Sequence, residues 1–164
     1  MSRNANLQRN TGGPAGLPPT TIERRVPTIM KEYLFVYGSL RSPCRVPEAI
    51  AAVTNRFVMR GLGKVNGRLY DLGDFCGAVL DSDAATVVHG ELVELPSDEG
   101  LLETLDRYEE IDPSHPANGL FWRQRTTVRL PDGSEKEAWI YTYNRAPGNA
   151  PLILSGDYIR YRSR

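Results

Sequence analysis

The chain has 164 residues, of which 40% are hydrophobic and 24% are charged. These proportions are typical of a globular protein and fit one domain with its own hydrophobic core. Twenty Lys and Arg residues balance twenty Asp and Glu residues, and this balance gives no support for nucleic-acid binding, which usually requires a basic face. No apolar stretch approaches the roughly 20 residues that a membrane-spanning helix needs. We therefore expect a soluble, cytoplasmic protein that binds neither nucleic acid nor membrane.

The cysteines and histidines do not have the spacing of a metal site. Cys44 and Cys76 lie far apart, and His89 and His115 are isolated from them and from each other. His89 occupies an alternating position of an apparent strand, where a surface or hydrogen-bonded histidine is more common than a metal ligand. We therefore expect no metal, no cofactor and no Cys/His catalytic centre.

Residues 1–30 differ in composition from the rest of the chain. They are rich in Asn, Gly, Pro, Thr and Arg and contain no aromatic residue, so they bury too little apolar surface to offset the entropy of ordering. The arginines would also suit an organelle transit peptide, but Gly12-Gly13-Pro14 and Pro18-Pro19 interrupt any amphipathic helix. A flexible arm at residues 1–30 and a folded domain at residues 31–164 are the favoured interpretation.

The first predicted strand is a short apolar run that ends abruptly at a turn. Tyr33–Tyr37 contains no charged residue and is followed by Gly38-Ser39, and a helix is predicted at Val46–Val53. Such a turn leaves backbone N–H groups free to bind a negatively charged group. Gly and Ser are, however, also common in strand-to-helix turns without a ligand.

The remaining predicted elements are grouped strands with one further helix. Ser97 is the predicted N-cap of a helix over Asp98–Glu110, with Asp98 and Glu99 in its first turn. Pro131-Asp132-Gly133-Ser134 is a hairpin turn, and the type of the element at 153–159 is open. Strands are predicted at 56–72 (two pieces with a bulge), 77–80, 86–95, 121–130 and 135–143. Strands grouped in this way indicate an α+β fold.

Glu109 lies on the wrong face of the second predicted helix. At roughly 100° per residue, Leu101, Leu102, Leu105 and Tyr108 fall within one arc of roughly 120° that should meet the core. Glu109 falls inside this arc, whereas the carboxylates of Glu103, Asp106 and Glu110 fall outside it and are expected in solvent. A carboxylate among apolar groups has a raised affinity for protons, which suits a general base that works near neutral pH.

Two structural explanations for Glu109 remain open at this point. The side chain lies near the predicted end of the helix, where a fraying last turn would let it bend away into solvent. The second explanation is an ion pair with an arginine, for which Arg123 and Arg125 on a following strand are the nearest candidates.

Two motifs resemble the gamma-glutamylcyclotransferase-like family. Tyr37-Gly38-Ser39-Leu40 matches the family's Tyr-Gly-Ser-Leu turn after the first strand, and Leu105-Asp106-Arg107-Tyr108-Glu109 matches its Leu-Asp-x-x-Glu helix end. The resemblance covers about residues 32–157. Supporting matches are Gly67-Arg68-Leu69-Tyr70-Asp71-Leu72-Gly73, Val88-His89-Gly90-Glu91-Leu92 and Tyr141-Thr142-Tyr143.

The resemblance implies a small mixed β-barrel flanked by helices and a metal-independent acyl transfer. Glu109 would be the catalytic acid/base, and the turn formed by Tyr37, Gly38, Ser39 and Leu40 would bind a γ-glutamyl group. Attack of the substrate's own α-amine on the γ-carbonyl would then release 5-oxoproline. Tyr141 resembles a substrate-side tyrosine of the family, although core packing beside Trp139 and Tyr143 would also explain an aromatic residue there.

The sequence departs from the family pattern in one place. Glu110 follows Glu109, whereas relatives often have glycine at that position. The expected partner is a small γ-glutamyl amine or peptide, and the protein is expected to be a monomer or a homodimer. A non-catalytic small-molecule binder with the same fold, and a related enzyme that cleaves another amide or carbonyl compound with the same base, are the alternatives.

Overall fold

The computed structural model describes residues 30–41 and 44–163, so residues 1–29 of the predicted arm lie outside the described residues. The described chain forms six strands, three α-helices and a short 3-10 helix at Pro116–Asn118. The strands are β1 (Tyr33–Val36), β2 (Val58–Asp71), β3 (Cys76–Leu80), β4 (Val87–Glu94), β5 (Phe121–Arg129) and β6 (Glu135–Tyr143). The helices are α1 (Glu48–Thr54), α2 (Leu101–Tyr108) and α3 (Tyr158–Arg162).

Five of the strands close into a barrel. They follow the order β2-β4-β1-β6-β5, and a pairing of Lys64 in β2 with Arg129 in β5 joins the two ends. β3 lies outside this ring and pairs with the last part of β2. β1 and β6 run parallel, while the other pairings among the described strands are antiparallel. The prediction of an α+β fold with a small mixed barrel and flanking helices is therefore confirmed.

β2 is one strand of 14 residues that serves two partners in turn. Its register against β4 shifts between Met59 and Gly61, which is the predicted bulge, but the strand continues through it instead of breaking into two pieces. At Gly67 the strand passes from β4 to β3 with a φ of +155°. A Cβ atom at this position would come within 2.5 Å of the Val79 carbonyl oxygen, so only glycine fits the crossing.

β1 is buried on both of its faces. Phe35 packs inside the barrel with Val65 and Leu69. Leu34 and Val36 point the other way and pack with Leu101 and Leu105 of α2. Because neighbouring residues of a strand face opposite sides, a strand between the barrel interior and a helix needs the uninterrupted apolar run that the sequence has.

The start of α2 differs from the prediction. The N-cap is Gly100 in the left-handed conformation with a φ of 86°, and no side chain caps the helix. Ser97 is therefore not the N-cap, and Asp98 and Glu99 precede the helix instead of occupying its first turn. Glycine adopts a positive φ with little strain, so the chain reverses at Gly100 and the helix begins at Leu101. Asp98 is instead paired with Arg56.

The C-terminal element whose type was open is the helix α3. The side chain of Asp157 caps it by accepting hydrogen bonds from the backbone N–H groups of Ile159 and Arg160, at 3.1 and 3.3 Å. Within residues 30–41 and 44–163, no helix is long and apolar enough to cross a membrane.

A buried arginine connects the turn after β1 to the rest of the fold. Arg41 is 8% exposed. Its Nε donates to Glu91 Oε1 in β4 at 3.2 Å, and its Nη1 donates to Asp157 Oδ1 at 3.0 Å. One guanidinium group therefore joins the turn, the central strand β4 and the cap of α3.

We predict that Arg41→Met lowers the free energy of unfolding by about 3 kcal/mol, because it leaves the Glu91 carboxylate partly buried without its partner. Urea unfolding at pH 7 measures this change. The matched control is Arg56→Met, which removes a solvent-exposed pair with Asp98 and should cost less than about 1 kcal/mol. Equal effects of the two substitutions would contradict the importance given to the Arg41 contacts.

Candidate active site

A cavity of about 190 Å³ lies between the turn after β1 and the end of α2. It is lined by Tyr37, Gly38, Ser39 and Leu40 and by the last residues of the α2 segment, Tyr108, Glu109 and Glu110. The cavity therefore brings together the residues that were predicted from the sequence to form the site. The rest of its lining is Phe35, Val36, Phe75, Cys76, Leu120, Phe121 and Tyr141.

The turn that lines the cavity contains backbone N–H groups without a partner among the described residues. Its carbonyl at Gly38 accepts a hydrogen bond from the Arg41 N–H at 3.0 Å. The N–H groups of Gly38, Ser39 and Leu40 donate to no other described residue. A Cβ atom at Gly38 would lie 3.1 Å from Cys76 Sγ, so a larger residue would press on that side chain. Turn N–H groups that have no partner among the described residues are suited to bind an anion or a developing negative charge.

Glu109 is the C-cap residue of α2 and is only partly exposed. No described residue forms a hydrogen bond or ion pair with its carboxylate. Arg123 pairs with Asp106 and Arg125 pairs with Glu32, so the pairing explanation for Glu109 is wrong. Burial, and secondarily the charge of Glu110, raises the pKa of Glu109 from 4.5 to about 7. The carboxyl group can therefore take up and release a proton near neutral pH.

The end of α2 is closed, not frayed. The N–H of Ile111 donates to the Asp106 carbonyl at 2.9 Å, and the N–H of Glu110 donates to the Arg107 carbonyl at 3.3 Å. These two bonds are those of a Schellman motif, in which the residue after the C-cap takes a left-handed conformation and is usually glycine. Glu110 occupies that position with a φ of 55°. The motif gives a physical reason for the glycine that the family pattern leads us to expect there, and it fixes the backbone that carries Glu109.

The hydroxyl of Tyr37 both donates and accepts a hydrogen bond within the protein. Its hydroxyl donates to the Tyr141 carbonyl at 2.5 Å and accepts from the Ala78 N–H at 3.1 Å. Burial is the main reason why its pKa lies well above the ordinary value. Tyr37 therefore lines the cavity with a side chain that is held in place, and its hydrogen bonds connect the end of β1 to β3 and β6.

Asp106 is the residue that the sequence prediction missed. It was expected in solvent, but its carboxylate accepts hydrogen bonds from Arg123 Nε at 2.8 Å, Arg123 Nη2 at 3.1 Å and Tyr141 Oη at 2.8 Å. Arg123 in β5 and Tyr141 in β6 are directly paired across the sheet. The available signal was the position of Asp106, which lies only about 40° beyond the apolar arc of the helix.

Tyr141 combines both interpretations that the sequence allowed. Its ring is 4% exposed and packs with Leu34 and Val36, while the residue also lines the cavity and its hydroxyl reaches Asp106. Burial and the bond to Asp106 raise its pKa well above the ordinary value, so the phenol keeps its proton.

The two possible nucleophiles in the lining lack activation. Cys76 is buried, and this burial, together with the charge of Glu109, raises the pKa of its thiol well above the ordinary value. A thiolate is therefore scarce near neutral pH. Ser39 contacts Tyr108 Oη at 3.4 Å, and no histidine is among the described lining residues. The arrangement favours proton transfer by Glu109 over covalent catalysis.

Comparison with known proteins places the chain in a family. A family model described as gamma-glutamyl cyclotransferase, AIG2-like, matches residues 34–160. The chain is 32% identical over 131 residues to a Methanocaldococcus jannaschii protein with a provisional gamma-glutamylcyclotransferase name, over 80% of this chain and 98% of the relative. It is 32% identical over 126 residues to the Escherichia coli K12 gamma-glutamylcyclotransferase family protein YtfP, over 77% and 95% of the two chains.

Solved structures have the same fold. The crystal structure of an AIG2-like protein from Mus musculus superposes with a TM-score of 0.60 at 23% identity, over 78% of this chain and 88% of that chain. The solution structure of ytfP from Escherichia coli superposes with a TM-score of 0.55 at 29% identity, over 80% and 99% of the two chains. The match at 34–160 lies inside the predicted domain at 31–164.

We predict that Glu110→Gln lowers the pKa of Glu109 to a value between 4.5 and 7, because the substitution removes a neighbouring negative charge while burial remains. Carbon-detected NMR titration of the Glu109 carboxyl measures this pKa. Glu110→Gly should lower it in the same way and should also raise the free energy of unfolding by up to about 1 kcal/mol, because glycine relieves the positive φ. An unchanged pKa in both variants would contradict the influence of Glu110.

Proposed function

Because this chain belongs to the AIG2-like gamma-glutamylcyclotransferase family, we propose that it is an enzyme that releases 5-oxoproline from a γ-glutamyl amine or peptide. One observation carries the proposal. The carboxylate of Glu109 is partly buried and has no partner among the described residues, and it lines the same small cavity as a turn whose three N–H groups donate to no described residue. These are the two functions that an intramolecular acyl transfer needs, namely a proton acceptor and a site for an oxyanion.

The proposed reaction begins at the substrate's α-ammonium group. The Glu109 carboxylate removes one proton, and the freed amine attacks the γ-carbonyl carbon of the same molecule. A five-membered ring closes and the carbonyl oxygen becomes an oxyanion. The ring nitrogen then carries two hydrogens and a positive charge. The bond from the γ-carbon to the leaving nitrogen breaks, while the protonated Glu109 donates its proton to that nitrogen, and the surplus proton of the ring nitrogen passes to the departing amine. The products are 5-oxoproline and the protonated leaving amine, and Glu109 is again ionised.

One feature of the substrate and one of the protein account for much of the expected rate. Attacking and attacked atoms belong to one molecule, and good alignment in such cases is worth about 7–11 kcal/mol. A base with a pKa of about 7 is half ionised at neutral pH, so it accepts the proton and returns it in the next step.

The turn would bind the negatively charged parts of the γ-glutamyl group. No Lys or Arg is among the described residues that line the cavity, so backbone N–H groups and the Ser39 hydroxyl are the available donors for the α-carboxylate and for the oxyanion. The N–H groups of Gly38, Ser39 and Leu40 would be divided between these two anions. This assignment matches the substrate-binding role implied by the Tyr-Gly-Ser-Leu motif.

The size of the cavity favours a small acyl group. Its volume of about 190 Å³ is below the range of roughly 300–1,000 Å³ that is typical of pockets for larger ligands. A single glutamyl group would occupy it, and the leaving amine would extend toward the opening beside Glu110.

We predict that Glu109→Gln lowers kcat/KM for 5-oxoproline release by about 10²–10⁴-fold, the usual contribution of a general acid/base. Mass spectrometry would measure release from γ-glutamyl dipeptides, γ-glutamyl-ε-lysine and γ-glutamyl alkylamines. Glu103→Gln, which changes an exposed acid on the same helix, is the matched control and should leave kcat/KM unchanged. Unchanged turnover in Glu109→Gln would refute the role of Glu109, and silence of the wild type on every substrate would favour the non-catalytic binder.

The pH dependence of the stability of Glu109→Gln tests the raised pKa of Glu109 independently of activity. In the unfolded chain Glu109 ionises near pH 4.5, whereas in the folded protein it ionises near pH 7. The unfolded state therefore loses its proton first as the pH rises, and the wild type loses stability between these two values. Glutamine does not ionise, so Glu109→Gln should be more stable than the wild type at pH 8 by up to about 3 kcal/mol and equally stable at pH 4. A less stable variant at pH 8 would show that Glu109 has a structural partner.

A further inference from the structure

Glu110 lies at the opening of the cavity. It is the one exposed residue among the described residues that line the cavity, while the others are buried or partly buried. Its backbone is held from two sides, because its N–H donates to the Arg107 carbonyl at 3.3 Å and its carbonyl accepts from the Leu120 N–H at 3.0 Å. The fold therefore fixes the position of this acid beside the opening.

The carboxylate of Glu110 is not paired with a cation in the part of the chain that the structure describes. Four arginines close in sequence to lining residues donate to other groups, namely Arg41 to Glu91 and Asp157, Arg123 to Asp106, Arg107 to the Glu103 carbonyl and Arg145 to the Asn118 carbonyl. No Lys or Arg is among the described lining residues. The charged side chains of the described lining are therefore two acids, Glu109 and Glu110.

The leaving amine of a γ-glutamyl substrate would pass beside Glu110. The cavity of about 190 Å³ holds a single glutamyl group, so the rest of the substrate extends through the opening. The α-ammonium and α-carboxylate groups of the bound substrate cancel each other in net charge, and Glu109 takes up the proton that the reaction moves. The charge of Glu110 is therefore left to act on any charged group of the leaving amine.

This charge acts without direct contact. The charge of Glu110 contributes to the raised pKa of Glu109, so its electric field reaches the site of the reaction. In water the field of an exposed charge extends over a Debye length, about 8 Å at physiological ionic strength, which exceeds the length of a short aliphatic amine. A positive group on the leaving amine is therefore attracted, and a negative group is repelled.

We propose that Glu110 is a specificity-determining residue that selects the leaving amine by charge. It favours γ-glutamyl amides of diamines, whose leaving group carries a second ammonium group, and disfavours γ-glutamyl amino acids, whose leaving group carries a carboxylate. The inference rests on the proposed function, since it names the substrate class of that reaction. The chain has this charged residue at a φ of 55°, where the glycine of the family pattern would be unstrained and uncharged. The preference is therefore a property of this chain.

The test uses three γ-glutamyl amides whose leaving amines have similar length and differ in charge. Diaminopropane gives a cationic leaving group, butylamine a neutral one and γ-aminobutyrate an anionic one. We expect kcat/KM for 5-oxoproline release by the wild type to be about tenfold higher for the cationic than for the anionic substrate, since an exposed charge contributes about threefold for each unit of charge. Glu110→Gln should lower this ratio about tenfold, and Glu110→Lys should reverse the preference.

Salt dependence tests the electrostatic origin of the preference. Raising the salt concentration from 0.1 M to 1 M shortens the Debye length from about 10 Å to about 3 Å. The ratio of the cationic to the anionic substrate should therefore fall toward one in the wild type and change little in Glu110→Gln. A wild-type ratio that does not depend on salt would overturn the proposal.

The three-substrate comparison separates charge selection from an effect through Glu109. Glu110→Gln also lowers the pKa of Glu109, but the atoms on which Glu109 acts are common to the three substrates. A change through Glu109 or through the backbone alters kcat/KM for all three by one factor and leaves their ratio unchanged. Glu103→Gln removes an exposed acid of α2 outside the described lining and should also leave the ratio unchanged. If Glu110→Gln fails to fold, Glu110→Gly supplies the same comparison.

The outcomes also separate this inference from the proposed reaction. If the substrates release 5-oxoproline but Glu110→Gln keeps the wild-type ratio, the inference is wrong and the reaction stands. If none is turned over, NMR titration of the full chain gives the dissociation constants of the same three compounds. A preference for the cation that Glu110→Gln removes then supports charge selection while the proposed reaction fails, and equal binding of all three overturns both. A wild type that prefers the anionic substrate overturns the inference directly.

Discussion

The burial of β1 on both faces is the constraint on which the site depends. One face of this four-residue strand fills the barrel, and the other packs against Leu101 and Leu105 of α2. The strand therefore brings the turn at its own end next to the end of the helix. The cavity between them is lined by residues of that turn and by Glu109 at the end of the helix. Arg41 also connects the turn to Glu91 and Asp157 by ion pairs. The turn and the end of α2 are therefore attached to the same core.

Two carboxylates three residues apart on α2 have opposite environments. Asp106 accepts three hydrogen bonds from Arg123 and Tyr141, which commits it to holding other groups in place. Glu109 has no described partner and a pKa of about 7, which leaves it free to exchange a proton. A pair of acids whose surroundings separate their roles in this way is a common arrangement in acid/base sites. The anchored acid stabilises the surroundings in which the free one would work.

Glu110 places a second acid at the mouth of the cavity at some cost in backbone energy. A left-handed conformation is unfavourable for a non-glycine residue by roughly 1–2 kcal/mol. Glycine, the usual residue at this position of a Schellman motif, would avoid this cost. The charge of Glu110 raises the pKa of Glu109 further than burial alone. Strained residues of this kind are often found at functional sites, and here the residue borders both the candidate base and the expected path of the leaving amine.

The sequence by itself determined the α+β class, most strands and the position of Glu109. These depend on local periodicity, since alternation along a strand and a helical spacing of roughly 100° are properties of neighbouring residues. The apolar run of β1 and the acid within the apolar arc of α2 could therefore be recognised without coordinates. The motif resemblance added the small mixed barrel and the expected reaction, which periodicity does not contain.

Only the tertiary structure decided how the other acids are used. Asp106 looked solvent-exposed because its partners, Arg123 and Tyr141, belong to strands that follow it by 17 and 35 residues. The N-cap prediction at Ser97 was wrong because Gly100 reverses the chain just before the helix, and a positive φ is not visible in composition. The choice between a frayed and a closed helix end likewise depended on backbone hydrogen bonds around Glu110. Contacts between residues distant in sequence form only when the barrel closes, so no local pattern encodes them.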